Sequence, residues 1–180
     1  MDQPTLRTPR LVLRPLDLDD AAAVQRLAGH PAIADTTLNI PHPYLDGMAE
    51  QWIRSGAAAW EKGSGVAYAI TEGGELRGVI TMKLDPRSRC GEFGYWIGQP
   101  YWGRGLATEA LRAFLDFGFR EMGLNRIQAS HLSRNPASGR VMEKAGMVRE
   151  GVHRERLLKN DRFEDTVEYA ILRRDGEQPS

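Results

Sequence analysis

Hydrophobic and polar positions along the chain repeat with two different periods, and the changes of period delimit the predicted elements. Apolar residues recur every three to four positions over residues 21–27 and again after Asp46, which predicts two amphipathic helices. We expect Pro31 to end the first helix and Asp46 to cap the second. A further helix is predicted after Gly105, and a short one over residues 135–145.

Short apolar runs bounded by turn residues predict the strands. These runs are residues 11–13, 66–71, 76–84, 91–98, 126–131 and 167–172. We expect the last run to pair with the region around residues 152–158. This order predicts an α+β, three-layer fold with a mixed, mostly antiparallel sheet, helices on both faces and one strand-to-helix crossover at its centre. A single domain over residues 1–180, with a core of about residues 8–173, suits this length.

Composition and charge narrow the class of protein. Hydrophobic residues make up 41% and charged residues 27% of the chain, as in ordinary soluble proteins. Basic and acidic residues number 24 each, so the formal net charge is zero, and a nucleic-acid partner is not expected. No apolar run reaches the roughly 20 residues that span a bilayer, and the N-terminus has no signal-peptide pattern. We expect a cytoplasmic protein without a membrane partner.

The cysteine and histidine content argues against a metal site. Cys90 is the single cysteine, which excludes an intrachain disulfide and a cysteine-based zinc site. The four histidines show no metal-ligand spacing, so no metal is expected. Cys90 could in principle carry an acyl group, but no histidine lies near it in sequence, and we interpret it as structural.

The most informative stretch runs from a predicted strand through Gly103 and Gly105 directly into a helix. The first turn of a helix presents unpaired N–H groups and a partial positive charge, and glycines let an anion approach closely. Arg104 adds a fixed charge there. A Gly-x-Gly turn by itself is more often only a tight turn. A Walker A loop fits poorly because Leu106 and Ala107 replace its Lys and Ser/Thr, and a dinucleotide fingerprint fits only in a shifted register.

The same stretch resembles the acetyl-CoA-binding motif of the GNAT superfamily of N-acetyltransferases, Gln/Arg-x-x-Gly-x-Gly/Ala. Gly105 and Ala107 match its last two fixed positions, whereas Trp102 stands where Gln or Arg is usual. The run Tyr-Trp-Gly-Arg-Gly-Leu-Ala-Thr-Glu-Ala is similar to the variant in the RimJ/RimL-type branch, the ribosomal-protein alanine acetyltransferases.

Three further segments resemble that branch. Residues 8–15 are similar to its opening strand, residues 92–98 to its central strand, and residues 135–146 to its Asn-x-x-Ser-x-x-x-x-x-Lys-x-Gly motif. The resemblance extends over nearly the whole chain, and four motifs in order are more specific than any one of them. It implies a GNAT-like fold whose central strand splays from its neighbour, with acetyl-CoA as the co-substrate.

The resemblance also implies where acetyl-CoA binds. Pantetheine would pair with the backbone of Tyr95, Trp96 and Ile97, and one of their N–H groups would hold the oxyanion that develops on the thioester. The side chains of Tyr95 and Ile97 are equally suited to the core. The pyrophosphate would lie in the amides of a six-residue loop: Gly103, Arg104, Gly105, Leu106, Ala107 and Thr108.

Candidate reactive groups follow from the same resemblance and from the chemistry of amide formation. It implies that Asn135 contacts the CoA arm and that Ser138 protonates the departing thiolate, although both residues also suit helix capping. A free thiol titrates near pH 8.5, so a proton donor eases its departure. The attacking amine must lose a proton, and we take Glu92 as the candidate base; a solvated strand-end carboxylate is the alternative. Arg140 and Lys144 suit either the CoA phosphates or solvent.

The sequence therefore predicts an N-acetyltransferase that moves an acetyl group directly from acetyl-CoA to a primary amine, with a protein N-terminus as one acceptor class. The alternatives are a small amine, such as an aminoglycoside, polyamine or metabolite, and a non-catalytic acyl-CoA-binding module. A homodimer is left open. Tyr44, Trp52 and Trp60 lie in a region that lines the acceptor pocket of this family, but aromatic residues on a helix are more often core.

Overall fold

One eight-stranded sheet organises the protein, and the computed structural model describes residues 2–176. The strands, in chain order, are β1 Leu6–Arg7, β2 Val12–Pro15, β3 Gly65–Glu72, β4 Glu75–Asp85, β5 Cys90–Ile97, β6 Arg126–Leu132, β7 Val148–Lys159 and β8 Arg162–Leu172. Their order across the sheet is β1-β2-β3-β4-β5-β6-β8-β7. Neighbouring strands are antiparallel except β5 and β6, which are parallel.

Helices cover both faces of the sheet. They are α1 Ala21–Ala28, α2 Pro31–Thr36, α3 Met48–Glu61, α4 Leu106–Arg120, α5 Pro136–Lys144 and α6 Arg173–Gly176. One buried cluster joins α1, α2 and α3 to one face, and a larger cluster joins α4 and α5 to the other. The predicted three-layer α+β fold and its central crossover, β5–α4–β6, are confirmed. No helix in residues 2–176 is long and apolar enough to cross a membrane.

Strand alternation assigns the side chains of β5 to the two faces. Phe93 and Ile97 are buried in the cluster under α4 and α5, and Tyr95 packs against the same cluster. Trp96 faces the opposite way and is buried under α1 and α3. Since successive side chains alternate, Glu92 points to the same side as Trp96. The strand therefore offers different chemistry to the two sides of the sheet.

Pro31 begins a helix that the sequence did not predict. We expected it to end the preceding helix, but α1 already ends at Ala28, and Pro31 is the first residue of α2. His30 caps α2, since its Nδ1 accepts a hydrogen bond from the N–H of Ala32 at 3.2 Å. Proline is common at this first position because its missing N–H would have no intrahelical partner.

Asp46 does not cap α3, contrary to expectation. The N-cap of that helix is Gly47, in a left-handed conformation with φ of 82°, and α3 begins at Met48. The Asp46 carboxylate instead accepts a hydrogen bond from the amide of Gln25 at 2.6 Å, which ties the start of α3 to α1.

The C-terminal hairpin is longer than predicted and paired differently. Val152 lies opposite Val167 as expected, but the rest of residues 167–170 pairs with residues 148–151. Residues 157–159 pair with residues 162–164, because β8 begins at Arg162 and not at Val167. Asn160 and Asp161 both have positive φ and form the two-residue turn between the strands.

Candidate active site

The parallel strands β5 and β6 separate after three residue pairs. Their ladder joins Cys90–Glu92 to Arg126–Gln128, whereas β5 stays paired with β4 along its whole length. From Phe93 onward the edge of β5 that faces β6 therefore has no strand partner among residues 2–176. A cavity of about 1010 Å³ occupies this gap and extends to both faces of the sheet.

The glycine-rich turn forms one end of this cavity. Gly103 and Gly105 have φ of 75° and 77°, a left-handed conformation that glycine adopts without steric cost. Gly105 is the N-cap of α4, so the N–H groups of the first turn have no intrahelical acceptor. Both glycines line the cavity together with Leu106, Ala107 and Thr108. A Cβ at Gly103 would have nothing within 4 Å, so this part of the loop faces open space.

The β1–β2 turn holds this loop from outside. The Glu109 carboxylate in the first turn of α4 accepts hydrogen bonds from Thr8 Oγ1 at 2.6 Å and from the backbone N–H of Arg10 at 3.0 Å. Arg10 also donates to the carbonyl of Arg104 at 3.0 Å. Burial by itself would raise the pKa of Glu109, but these hydrogen bonds and the Arg10 charge hold it below its ordinary value. These contacts join the loop to the β1–β2 turn.

Arg104 is directed away from the cavity. Its Nη2 contacts both oxygens of Glu72 in β3, at 3.0 and 2.9 Å, and its side chain is absent from the cavity wall. Of the candidate residues from the sequence it is the one that the structure separates from the others. Trp102, at the unusual position in the motif, donates its indole N–H to the carbonyl of Ile97 at 2.6 Å.

Tyr95 and Ser138 meet across the gap. Tyr95 projects from β5 and Ser138 from the first turn of α5, and their hydroxyl oxygens lie 3.0 Å apart. Burial raises the pKa of Tyr95 to about 12, although the hydrogen bond with Ser138 acts in the opposite direction. From the sequence, the Tyr95 backbone was expected to contact pantetheine and its side chain to suit the core, with no role for its hydroxyl. The alternation that placed its side chain on the α5 face was the signal that could have predicted this pair.

Glu92 enters the cavity from the other face of the sheet. It is exposed, lines the cavity, and lies opposite Lys83 of β4, which lines it as well. Ser138 belongs to the α5 side, so the two candidate proton-transfer groups approach the gap from opposite sides. Amide formation needs one group that takes a proton from the amine and another that gives one to the leaving group.

A model of the GNAT acetyltransferase domain matches residues 10–148. This chain belongs to the GNAT family. YdaF of Bacillus subtilis, a candidate ribosomal N-acetyltransferase, is 32% identical over 151 residues, which is 83% of this chain and 76% of YdaF.

Two further relatives support the same branch of GNAT acetyltransferases. The ribosomal-protein-serine acetyltransferase of Escherichia coli is 28% identical over 113 residues, 62% of this chain and 63% of its own length. The structure of Mycobacterium smegmatis RimJ, solved with a CoA disulfide, superimposes with a TM-score of 0.83 at 26% identity, covering 97% of this chain and 88% of RimJ. The resemblance to the RimJ/RimL-type branch and the predicted N-acetyltransferase activity are confirmed.

On the side of α1, α2 and α3, the cavity of this GNAT enzyme is largely apolar. Its wall there includes Ala28, Ile33, Ile40, Tyr44, Met48 and Trp52. Trp60, which the sequence grouped with Tyr44 and Trp52, lies outside this wall. Among the residues that the structure describes, Glu92 is the single carboxylate lining the cavity, against three cationic side chains, Lys83, Arg140 and Lys144.

Asn135 occupies the N-cap position of α5 but does not cap it. Its side chain forms no capping hydrogen bond, and its Nδ2 instead donates to the carbonyl of Thr36, at the end of α2, at 3.0 Å. Two neighbouring side-chain contacts hold the same segment. Lys159 donates to the carbonyl of Thr37 at 2.7 Å, and Arg134 pairs with Asp35 at 2.9 Å. The α2 end of the cavity is thereby fastened to the α5 side.

Cys90 lies outside the cavity wall in this GNAT fold. Its thiol is partly buried, and burial raises its pKa. A thiol with a raised pKa is a poor nucleophile at neutral pH, because the thiolate is the reactive form. The geometry gives no support to an acyl-cysteine intermediate.

Proposed function

We propose that this GNAT enzyme transfers the acetyl group of acetyl-CoA to the N-terminal amine of a protein, with the whole chain acting as one acetyltransferase domain. The observation that carries the proposal is the cavity itself. The N-terminus of α4, the unpaired edge of β5 and the side chains of Glu92 and Ser138 all border a single gap. Relatives that are named as ribosomal-protein acetyltransferases support the acceptor class.

The residues of the cavity fit acetyl-CoA. The first turn of α4 offers N–H groups and the positive end of a helix dipole to a pyrophosphate, and the open space at Gly103 leaves room for it. Arg140 and Lys144 lie one turn apart on α5, line the cavity, and form no ion pair with a described side chain, so both are available for phosphate. The free edge of β5 suits the amide groups of pantetheine. Acetyl-CoA supplies an acetyl group activated as a thioester.

The protein's own part in the reaction is to bind, orient and move protons. Glu92 takes a proton from the attacking amine, directly or through water, on the α1–α3 side of the gap. Ser138 places its Oγ–H toward the leaving sulfur on the α5 side. An N–H group of residues 95–97, on the free edge of β5, holds the oxygen of the acetyl carbonyl as charge develops there.

The charge of the cavity favours a neutral acceptor over a polycation. A polyamine or an aminoglycoside carries several positive charges, and a site for it needs several carboxylates. On the α1–α3 side, the cavity wall instead holds one carboxylate, Glu92, opposite one cation, Lys83, among the described residues. The apolar surface formed by α1, α2 and α3 suits the uncharged side chains and backbone that follow the amine of a peptide.

The proposal is tested by measuring thiol release from acetyl-CoA with a panel of acceptors. We expect turnover with short peptides that begin with a small uncharged residue and little turnover with spermidine or an aminoglycoside. The matched control is each peptide with a blocked N-terminus, which removes the amine and leaves the rest of the acceptor. Turnover with the polycations alone would overturn the acceptor class. Binding of acetyl-CoA without turnover of any acceptor would favour the non-catalytic module.

A further inference from the structure

We propose that the Tyr95 hydroxyl is a positioning group for Ser138: it donates a hydrogen bond to Ser138 Oγ and so leaves the serine proton free to point at the leaving sulfur. The inference rests on the proposed function, in which Ser138 is the proton donor. It goes beyond that function because it gives a role to the Tyr95 hydroxyl, for which the sequence implied none.

The Tyr95 and Ser138 hydroxyl groups lie within hydrogen-bond distance of each other across the gap. The two hydroxyl oxygens are 3.0 Å apart, a normal hydrogen-bond length, although 43 positions separate the residues in the chain. The Tyr95 ring is held by the core of the α4–α5 face and stacks on Phe93, with ring centroids 6.4 Å apart and 23° between the planes. Ser138 is held by the first turn of α5, where its N–H bonds to the carbonyl of Asn135.

The direction of this hydrogen bond follows from the two groups. A serine hydroxyl has one proton to donate and two lone pairs to accept with. If Ser138 donated to Tyr95, it would have no proton left for the sulfur. A phenol is a stronger acid than an aliphatic alcohol and is therefore the better donor of the two. Because burial keeps the phenol protonated throughout the neutral range, the donor is always present.

The proton balance of the step is complete. The amine nitrogen bonds to the acetyl carbon, the carbon–sulfur bond breaks, and the sulfur takes the proton from Ser138 Oγ. Tyr95 keeps its own proton and stabilises the negative charge that develops on that oxygen through the hydrogen bond it donates. The proton that the amine loses to Glu92 passes to solvent, and solvent returns one to Ser138. The products are the amide and the free thiol.

The experiment is a double-mutant cycle with Tyr95→Phe and Ser138→Ala. Single-turnover rates and the Kd of acetyl-CoA are measured for both variants and for the double variant. We expect Ser138→Ala to slow transfer by about 100-fold and Tyr95→Phe by about 10-fold, with the Kd changed less than about twofold. The double variant is expected to match Ser138→Ala, because Tyr95 acts only through the serine.

Tyr169→Phe is the matched control. The Tyr169 hydroxyl also bonds to α5, through Glu143 Oε1 at 2.8 Å, but the residue lies outside the cavity wall. Its loss removes a hydrogen bond to the same helix, and we expect the transfer rate to change less than about twofold, in line with a merely structural contact. A loss of rate equal to that of Tyr95→Phe would show that any loosening of α5 slows transfer, and would overturn the inference.

Failure of the inference is distinguishable from failure of the proposed function. A Ser138→Ala variant that transfers at the normal rate removes the serine as donor, and the role of Tyr95 is overturned with it. If Ser138→Ala is slow, the inference alone is overturned by any of three results: Tyr95→Phe at the normal rate, losses that multiply in the double variant, or a larger loss for Tyr95→Phe than for Ser138→Ala. The last result would make the phenol itself the donor.

Discussion

At the scale of single residues, a buried ion pair fixes the start of α1, which forms part of the cavity wall. The Asp20 carboxylate is 6% exposed and is held by both terminal nitrogens of Arg14, each at 2.7 Å. Burial by itself would raise the pKa of Asp20. The hydrogen bonds from Arg14 and from the N–H of Asp17, with the charge of Arg14, outweigh burial and hold the pKa below its ordinary value.

This pair predicts a pH-dependent stability. A carboxyl group whose pKa is lower in the folded state stabilises the fold above its unfolded-state pKa, and the contribution is lost as the pH falls through the folded pKa. We expect Asp20→Asn to reduce the free energy of unfolding by about 1–3 kcal/mol at pH 7, and by less below about pH 4. Urea unfolding at several pH values measures this difference.

The control is Asp19→Asn, which changes an exposed carboxylate one position away. We expect it to alter the free energy of unfolding by less than about 0.5 kcal/mol at either pH. An Asp20→Asn difference that is the same at pH 3 and pH 7 would contradict the assignment of the stability to the ionised pair.

Two motif residues have partners from distant parts of the chain. Asn135 was read equally as a helix cap and as a CoA contact, yet its amide bonds to Thr36, 99 positions earlier in the chain. Nothing in the local sequence could have indicated that partner, since it depends on how α2 packs. The contact with the CoA arm stays a prediction. The sequence was expected to put the charge of Arg104 beside the pyrophosphate, whereas its guanidinium group pairs with Glu72 of β3. The amide of Arg104 stays a predicted member of the loop.

At the scale of elements, the N-terminus of α4 is the part of the site that depends most on backbone conformation. Gly105 is an N-cap with positive φ, lines the cavity, and precedes the free N–H groups. The N-terminus of α3 has the same local geometry, because its N-cap Gly47 also has positive φ, but Gly47 lies outside the cavity wall. Gly47 therefore provides a matched control position for Gly105 within the same protein.

We predict that Gly105→Glu weakens acetyl-CoA binding by at least about 100-fold while the protein stays folded, because the new carboxylate would repel the pyrophosphate. Gly47→Glu imposes similar backbone strain and the same charge on α3, and we expect it to change the affinity less than about threefold. Calorimetry with acetyl-CoA measures the affinity, and circular dichroism checks the fold. Retained binding in Gly105→Glu would remove the loop from the phosphate site.

Elements with a strong period were predictable, and elements set by tertiary contacts were not. The sheet strands from β3 to β6 and the long helix α4 follow directly from alternation and helical spacing. The short helix α2 was not predicted because six residues are too few to show a helical period. Pro31 was expected to end a helix, but it is the first residue of one. The predicted pairing within the last hairpin was mostly wrong, since the charged residues of β7 show no alternation.

At the scale of the whole molecule, the sheet consists of two parts joined by a short ladder. Strands β1 to β5 form one continuous antiparallel part, and β6, β8 and β7 form the other. Three residue pairs between β5 and β6 connect them through backbone hydrogen bonds. A ligand that lies in the gap would bond to the free edge and so complete the connection.

This arrangement predicts where acetyl-CoA protects the protein from hydrogen exchange. At labelling times that report local opening, we expect the largest gain of protection in residues 93–97 and 129–132, and little change in the β3–β4 hairpin. At 100 times its Kd the ligand should also raise the free energy of unfolding by about 2.7 kcal/mol. Protection spread evenly over the sheet would contradict binding in the gap.

Most of the tryptophans lie at this cavity, so their fluorescence can report on its contents. Three of the four tryptophans, Trp52, Trp96 and Trp102, line the cavity. Trp102 donates its indole N–H to the carbonyl of Ile97 and is 44% exposed. We expect a ligand that enters the gap to change the surroundings of these indoles. We therefore expect intrinsic tryptophan fluorescence to report the binding of cofactor and acceptor without a label. Trp60→Phe would remove the one tryptophan that lies outside the cavity wall.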